Sequence, residues 1–130
     1  MTTSDTRRWL GAARGERRDF VVTLLVPSLT QDGTPLDHAA WRARALEVMT
    51  RLFGGATAIE GEGAWRDDER GGAIKLEKIS TIDSFMAKSS WNSKTVSELG
   101  TFLKQMGREA NQGEIGLIVD SEYFLIREFN

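Results

Sequence analysis

Three glutamates in the middle of the chain, Glu60, Glu62 and Glu77, are the side chains best suited to acid and base catalysis. Carboxylates that lie close together raise one another's pKa, so that one can act as a base, and their oxygens can bind a hard cation. If the segments that carry them pair as a hairpin, they share one sheet face with Lys75. The alternative is a solvated strand surface in which Glu62 pairs with Lys75.

A second polar cluster occupies residues 107–114 and contains Arg108, Asn111, Gln112 and Glu114. Arginine can grip a carboxylate or a phosphate with two parallel hydrogen bonds, and the amides can fix the orientation of the bound group. The same residues also suit a helix C-terminus, where Arg108 complements the helix dipole and Asn111 takes the left-handed cap. Ligand binding and capping are both compatible with this pattern.

Trp65 follows two alternating glycines, Gly61 and Gly63, in a predicted strand. Glycine inside a strand often marks a place where a bulky group approaches the backbone. We expect that group to be the helix that carries Trp41, and the alternative is a ligand that stacks on Trp65.

The residue types and their spacing give little indication of any other catalytic or cofactor site. The chain has no cysteine, which excludes disulfides, thiolate zinc sites and cysteine nucleophiles. His38 is the only histidine and follows Asp37 at a predicted helix start, where capping accounts for it. The glycine pairs lack the strand-to-helix context of a phosphate-binding loop. We therefore expect neither a metal nor a cofactor.

Size and charge set the general class. A chain of 130 residues with 40% hydrophobic and 28% charged residues predicts one domain with one core, over residues 19–130. The formal net charge of −2 gives no overall attraction to nucleic acid or to a membrane. No secretory signal and no membrane-spanning run is evident, so we expect a cytoplasmic location.

Residues 1–18 are predicted to form a basic tail or a short helix around Trp9 and Leu10. Nucleic acid is an expected partner only through the arginines of this segment, which are Arg7, Arg8, Arg14, Arg17 and Arg18. The alternatives are an exposed terminus or a segment that folds back over the sheet.

Residue periodicity predicts a strand, a helix, a hairpin, a second helix and one or two closing strands. Residues 20–26 are apolar on both faces, and residues 37–53 form a helix from an Asp37 cap to the glycines at 54 and 55. Segments 56–65 and 73–82 flank a polar, glycine-ended turn and are predicted to pair antiparallel.

A turn centred near residues 68 and 69 determines which side chains share a face. One face would carry Ile59, Gly61, Gly63, Trp65, Ile74 and Leu76, and the other the glutamates and Lys75. The second helix is predicted to begin at a Ser93 or Thr95 cap and to bury a stripe that includes Val96, and Gly113 stops it. Residues 115–119 and 123–129 then form two strands or one bent strand.

These elements predict an α+β fold, a ferredoxin-like βαββαβ two-layer sandwich with an antiparallel sheet and room for an extra C-terminal strand. Two helices cover only one face of such a sheet. Because the strands at 20–26 and 115–119 are apolar on both faces, the open face needs a second layer. We expect a homodimer through that face, with the N-terminal segment as the alternative cover.

The stretch 41–80 resembles a known family through Trp41, Phe53-Gly54-Gly55-Ala56-Thr57, Glu60-Gly61, Gly63, Trp65-Arg66-Asp67, and Glu77 with Ser80. It is similar to a family of small bacterial proteins grouped as a domain of unknown function, which share a helix tryptophan, a glycine-glutamine-tryptophan-arginine stretch and a glutamate-serine step. The chain has Ala64 where that family tends to carry glutamine, and it matches only loosely around Arg108 and Gln112. The resemblance implies a ferredoxin-like fold and supplies no activity.

The leading functional hypothesis is a binding or regulatory module that holds a small polar ligand or a protein partner on the sheet face and at residues 108–114. The alternative is a small cofactor-independent dimeric enzyme of the isomerase or oxygenase type, with Glu60, Glu62 or Glu77 as the base.

Overall fold

The computed structural model describes residues 1–13, 15 and 17–130. In this part of the chain the elements are α1 (Thr3–Leu10), β1 (Phe20–Val26), α2 (His38–Phe53), β2 (Thr57–Asp67), β3 (Ala73–Met86), α3 (Ser93–Glu109), β4 (Ile115–Val119) and β5 (Glu122–Ile126). Two short 3₁₀ turns, Asp68–Arg70 and Lys88–Ser90, flank β3. The α+β class and the additional C-terminal strand are confirmed, and the N-terminal segment contains the short helix.

The five strands form one antiparallel sheet in the order β2-β3-β1-β4-β5. Because β3 lies between β1 and β2, the β1-α2-β2 unit is split by an intervening strand. β2 and β5 are the two edges. β3 extends beyond its pairing with β1, so the outer part of the β2–β3 hairpin projects from the body as an arm.

The hydrophobic core lies between the helices α2 and α3 and one face of the sheet. Its fully buried large side chains are Val22, Leu24, Val26, Met49, Ile82, Met86, Leu99 and Met106. The burial in β1 alternates, so that Val22, Leu24 and Val26 face the helices while Val21 and Leu25 face away from them. We call the side that faces away from the helices the open face.

Capping residues fix the helix ends. Asp37 accepts a hydrogen bond from Ala40 N, and Gly54 has a left-handed φ of 93°, both as the sequence indicates. The cap of α3 is Asn92, one residue before Ser93, because the Asn92 side chain accepts hydrogen bonds from the amides of Lys94 and Thr95. The helix ends before Gly113, at Glu109.

The register of the β2–β3 hairpin differs from the predicted one. Trp65 lies opposite Lys75 and Gly63 lies opposite Glu77, since the 3₁₀ turn at Asp68–Arg70 moves the centre of the turn to residue 70. A shift by an odd number of residues moves every side chain of one strand to the other face. Trp65 therefore shares its face with Lys75 and Glu77.

The grouping predicted for the glutamates is consequently wrong. Glu60 lies opposite Ser80 and Glu62 opposite Lys78, on the face that the helices cover in the body of the sheet. Ile74 and Leu76 have the same orientation and are exposed on the arm. Of the three glutamates, only Glu77 belongs to the open face.

Candidate functional site

A cleft of about 740 Å³ lies on the open face. Its walls are the loop after β1, the β2–β3 arm, and the strands β4 and β5. The side chains that line it include Leu25, Trp65, Lys75, Glu77, Gln112 and Tyr123. Small-molecule sites in proteins occupy roughly 300–1,000 Å³, so the cleft has the volume of a ligand site.

Glu77 connects the cleft to the loop after β1. Its Oε2 atom accepts hydrogen bonds from two consecutive backbone amides, Ser28 N at 2.8 Å and Leu29 N at 3.2 Å. The neighbour across the strands is Gly63, which has no side chain to cover the carboxylate. Glu77 therefore holds the start of the loop and also brings a carboxylate to the cleft.

Two amide side chains hold the rest of that loop. Gln112 Nε2 donates to Leu29 O at 2.8 Å. Asn111 Oδ1 accepts from Gln31 Nε2 at 2.7 Å, and Asn111 Nδ2 donates to Asp32 Oδ2 at 3.0 Å. Asn111 has the left-handed φ of 48° that the capping interpretation implies. These amides bind the protein's own loop, and Gln112 also lines the cleft.

Aromatic rings stand on both sides of the cleft, Trp65 on the edge strand β2 and Tyr123 on the edge strand β5. Both rings are about half exposed. Gly116 gives Tyr123 its position, since a Cβ atom at residue 116 would lie 2.5 Å from the tyrosine hydroxyl oxygen. Two exposed rings at a concave site suit a flat ligand that stacks. Trp65 does not face the helix that carries Trp41, contrary to the expectation.

Lys75 is anchored at the outer end of the cleft. Its Nζ atom lies 3.1 Å from Asp67 Oδ2, and the Asp67 side chain is only 15% exposed. The hydrogen bond from Lys75 is the main reason why the pKa of Asp67 lies below its ordinary value of 3.8, and it outweighs the opposite effect of burial. Asp67, and not Glu62, is therefore the carboxylate partner of Lys75.

We expect Asp67→Asn to lower the free energy of unfolding at neutral pH and to weaken the acid dependence of stability. Because the folded-state pKa lies below 3.8, the carboxylate stabilises the fold above that pH, and this contribution is lost as pH falls through the folded-state pKa. Urea denaturation at about pH 7 and about pH 3 measures the difference from the wild type. Asp68→Asn, at an exposed side chain, is the control. The same difference in the free energy of unfolding at both pH values would show that the Asp67 carboxylate charge does not stabilise the fold.

The cleft gathers five of the nine predicted site residues, namely Trp65, Lys75, Glu77, Gln112 and Glu114. The other four are Glu60, Glu62, Arg108 and Asn111. Glu60 pairs with Arg42 at 2.8 Å and with Lys78 at 3.5 Å. Glu62 is exposed on the arm, and Arg108 donates to the carbonyl oxygen of Phe129. Segment 108–114 is therefore divided between the cleft and the packing of the C-terminus.

The sequence did not indicate the other polar contributors to this region. The amides of Ser28 and Leu29 and the Tyr123 ring lie in a loop and on an edge strand that no motif identifies. His38 also has an unexpected position, with Nδ1 2.8 Å from Pro27 O and Nε2 2.7 Å from Ser80 Oγ. Because a carbonyl oxygen only accepts, Nδ1 carries the hydrogen in the neutral ring and Nε2 accepts from Ser80.

The described arginines of the N-terminal segment, Arg7, Arg8, Arg17 and Arg18, do not line the cleft. Arg7 and Arg8 lie on α1, and Arg8 pairs with Asp5 at 3.4 Å. Arg17 pairs with Asp19 at 2.9 Å, and Arg14 lies outside the described residues. Among the residues that the structure describes, no three His, Asp or Glu side chains are placed to hold a metal ion. None of their helices is long and apolar enough to cross a bilayer.

Comparison with known proteins identifies the fold. No protein-family model matches the chain, and neither does any curated protein. A solved structure of a phage SAM lyase in complex with S-methyl-5'-thioadenosine is similar, with a TM-score of 0.65 and 11% identity over 89% of this chain and 95% of that chain. The apo state of a phage SAM lyase is similar with a TM-score of 0.55 and 13% identity, over 89% and 97% of the two chains. The chain thus shares the α+β fold of these two structures over nearly its whole length.

Proposed function

We propose that the cleft binds a small adenosine derivative that contains a thioether or a sulfonium group. The observation that carries this proposal is a cleft with a carboxylate and two exposed aromatic rings, in a chain whose fold matches that of a protein solved with S-methyl-5'-thioadenosine. The likeness supports the architecture, and the cleft residues support the class of ligand. The sequence alone predicted a small polar ligand, and the proposal now names its chemical class.

Each part of such a ligand has a suitable partner in the cleft. A purine ring stacks on an exposed aromatic side chain, which Trp65 supplies, and Tyr123 lies on the opposite edge strand. A sulfonium cation is attracted by a carboxylate and by the faces of aromatic rings, and Glu77 provides the carboxylate. Donor groups of the ligand can hydrogen-bond to the Gln112 Oε1 atom, because Gln112 Nε2 already donates to Leu29 O and Ala110 O.

The leading form of the proposal is a binding or regulatory module that releases its ligand unchanged. The second form is an enzyme, and the likeness to two structures of SAM lyase favours a lyase over the isomerase or oxygenase type. In such an elimination, Glu77 would take a proton from a carbon next to the one bonded to sulfur, and the electron pair of that carbon–hydrogen bond would form a carbon–carbon double bond. The carbon–sulfur bond would break with its electron pair moving to sulfur, leaving a neutral thioether. Chromatography of S-adenosylmethionine incubated with the protein distinguishes these two forms of the proposal. A binding module returns the compound unchanged, and a lyase converts it to a thioether.

We expect isothermal titration calorimetry to detect binding of S-methyl-5'-thioadenosine to the wild-type protein, and Trp65→Ala to weaken it by a factor of about 5 to 150. Loss of stacking on one base corresponds to about 1–3 kcal/mol, which gives this magnitude. The control is Ile74→Ala, at an exposed apolar residue of the same arm that has the opposite orientation. Equal affinities of the two variants, or no binding by the wild type, would refute the proposal.

A further inference from the structure

An apolar groove of about 350 Å³ lies between α3 and the strands β4 and β5, on the side of the sheet opposite to the cleft. Its lining includes Trp91, Val96, Leu103, Phe124 and Ile126, with Lys104 as its charged member. Val96 is 37% exposed although the sequence predicts it in the buried stripe of α3, and Phe124 is 39% exposed. The described residues thus leave part of this apolar surface without a cover.

The helix α1 also has apolar side chains that are exposed. A capping box between Thr2 and Asp5 closes its first turn, and Gly11 ends it in the left-handed conformation with φ 65°. None of its residues is buried, and Trp9 and Leu10 are 73% and 76% exposed. A helix of eight residues is marginal in water without a packing partner. The sequence thus encodes both helix ends and an apolar surface that nothing covers within the described chain.

The two surfaces are linked through the start of β1. Phe20 packs against Trp91, with 6.1 Å between the ring centroids, and Trp91 lines the groove. Residues 11–19 connect α1 to Phe20, and nine residues span at most about 30 Å. A linker of this span lets α1 lie well away from Phe20, so its position is not fixed by the start of β1.

We propose that α1 of one copy of this chain docks its Trp9 and Leu10 side chains into the groove of a second copy. Within the single chain α1 is not seated in its own groove, whereas a reciprocal exchange covers both apolar surfaces in both copies. Exchange of a terminal element is a low-cost route to a symmetric dimer. The dimer predicted from the sequence uses the open face, and that arrangement would cover the cleft. Exchange of α1 leaves the cleft accessible.

Disulfide trapping tests the exchange directly, because the native chain has no cysteine. Leu10→Cys in one preparation is mixed with Val96→Cys in a second, tagged preparation, and both sites are exposed enough to tolerate the change. We expect a covalent dimer that contains one chain of each kind. Leu10→Cys mixed with Ile74→Cys, an exposed site outside the groove, is the matched control and should give none.

Light scattering on size-exclusion chromatography gives the second readout. We expect the wild type to be a dimer and the double variant Trp9→Ala/Leu10→Ala to be a monomer that still binds S-methyl-5'-thioadenosine. A monomeric wild type overturns the proposal, as does a disulfide that forms within one chain carrying both cysteines at high dilution. Binding of a monomer to anionic vesicles through α1 would also overturn it. None of these outcomes affects the proposed ligand site.

Discussion

Leu24→Ala is expected to lower the free energy of unfolding by about 2–5 kcal/mol, the range found when a large aliphatic side chain is removed from a packed core. Leu24 is fully buried in the central strand β1, where it lies opposite Ile82 of β3 and Leu117 of β4. Truncation leaves a cavity between three strands and the helices, and the central strand cannot move to fill it. Urea denaturation monitored by tryptophan fluorescence measures the loss.

The control for this prediction is Leu76→Ala, which removes the same side chain from the exposed arm. Substitutions at exposed sites usually change stability by no more than about 0.5 kcal/mol. Similar losses for the two variants would show that β1 is not the centre of the core. A loss below about 1 kcal/mol for Leu24→Ala would show that the surrounding side chains close the cavity.

The elements of the body were predictable because each has a local signal. The Asp37 cap, the glycine at 54 and the helical spacing between them define α2, and the apolar run at 20–26 defines β1. Their physical causes act within a few residues of the chain. The order of the strands depends on packing between distant segments, and the sequence alone did not determine it.

The candidate site was only partly predictable for the same reason. Glu77 was identified by residue type, but its grouping with Glu60 and Glu62 depended on the register of the hairpin. The register depends on the conformation of residues 68–72, where two glycines with positive φ follow a 3₁₀ turn. The turn propensities of individual residues do not determine how many residues the turn contains. A change of the strand register by an odd number of residues moves the side chains of one strand to the opposite face of the sheet.

The contribution of the loop at residues 28–31 could not be inferred either. Its backbone and side-chain polar groups become relevant only because Glu77, Asn111 and Gln112 reach them from positions 48 to 83 residues away in the chain. Backbone donors carry no sequence signature of their own. Residue type thus indicated which side chains are polar, and the tertiary structure determined which of them hold the loop.

Glu77→Gln and Glu77→Ala are expected to separate the two roles of this residue. Alanine leaves the amides of Ser28 and Leu29 without their acceptor, so we expect a loss of about 1–2 kcal/mol in the free energy of unfolding. The loss is moderate because Glu77 is partly exposed and water can replace it. Glutamine keeps an oxygen that accepts the same hydrogen bonds, so its loss should stay below about 1 kcal/mol.

Ligand binding should respond to the charge of residue 77 and not to its hydrogen bonds with the loop. We expect Glu77→Gln to weaken binding of the cationic S-adenosylmethionine about tenfold, which corresponds to about 1.4 kcal/mol, and to leave binding of the neutral S-methyl-5'-thioadenosine nearly unchanged. Calorimetry with both compounds on the wild type and the variant measures this difference. Glu62→Gln removes the same charge from the exposed arm and should change neither affinity. Equal weakening for both ligands would mean that Glu77 acts by shaping the loop, and the attraction between its carboxylate and a sulfonium would be ruled out.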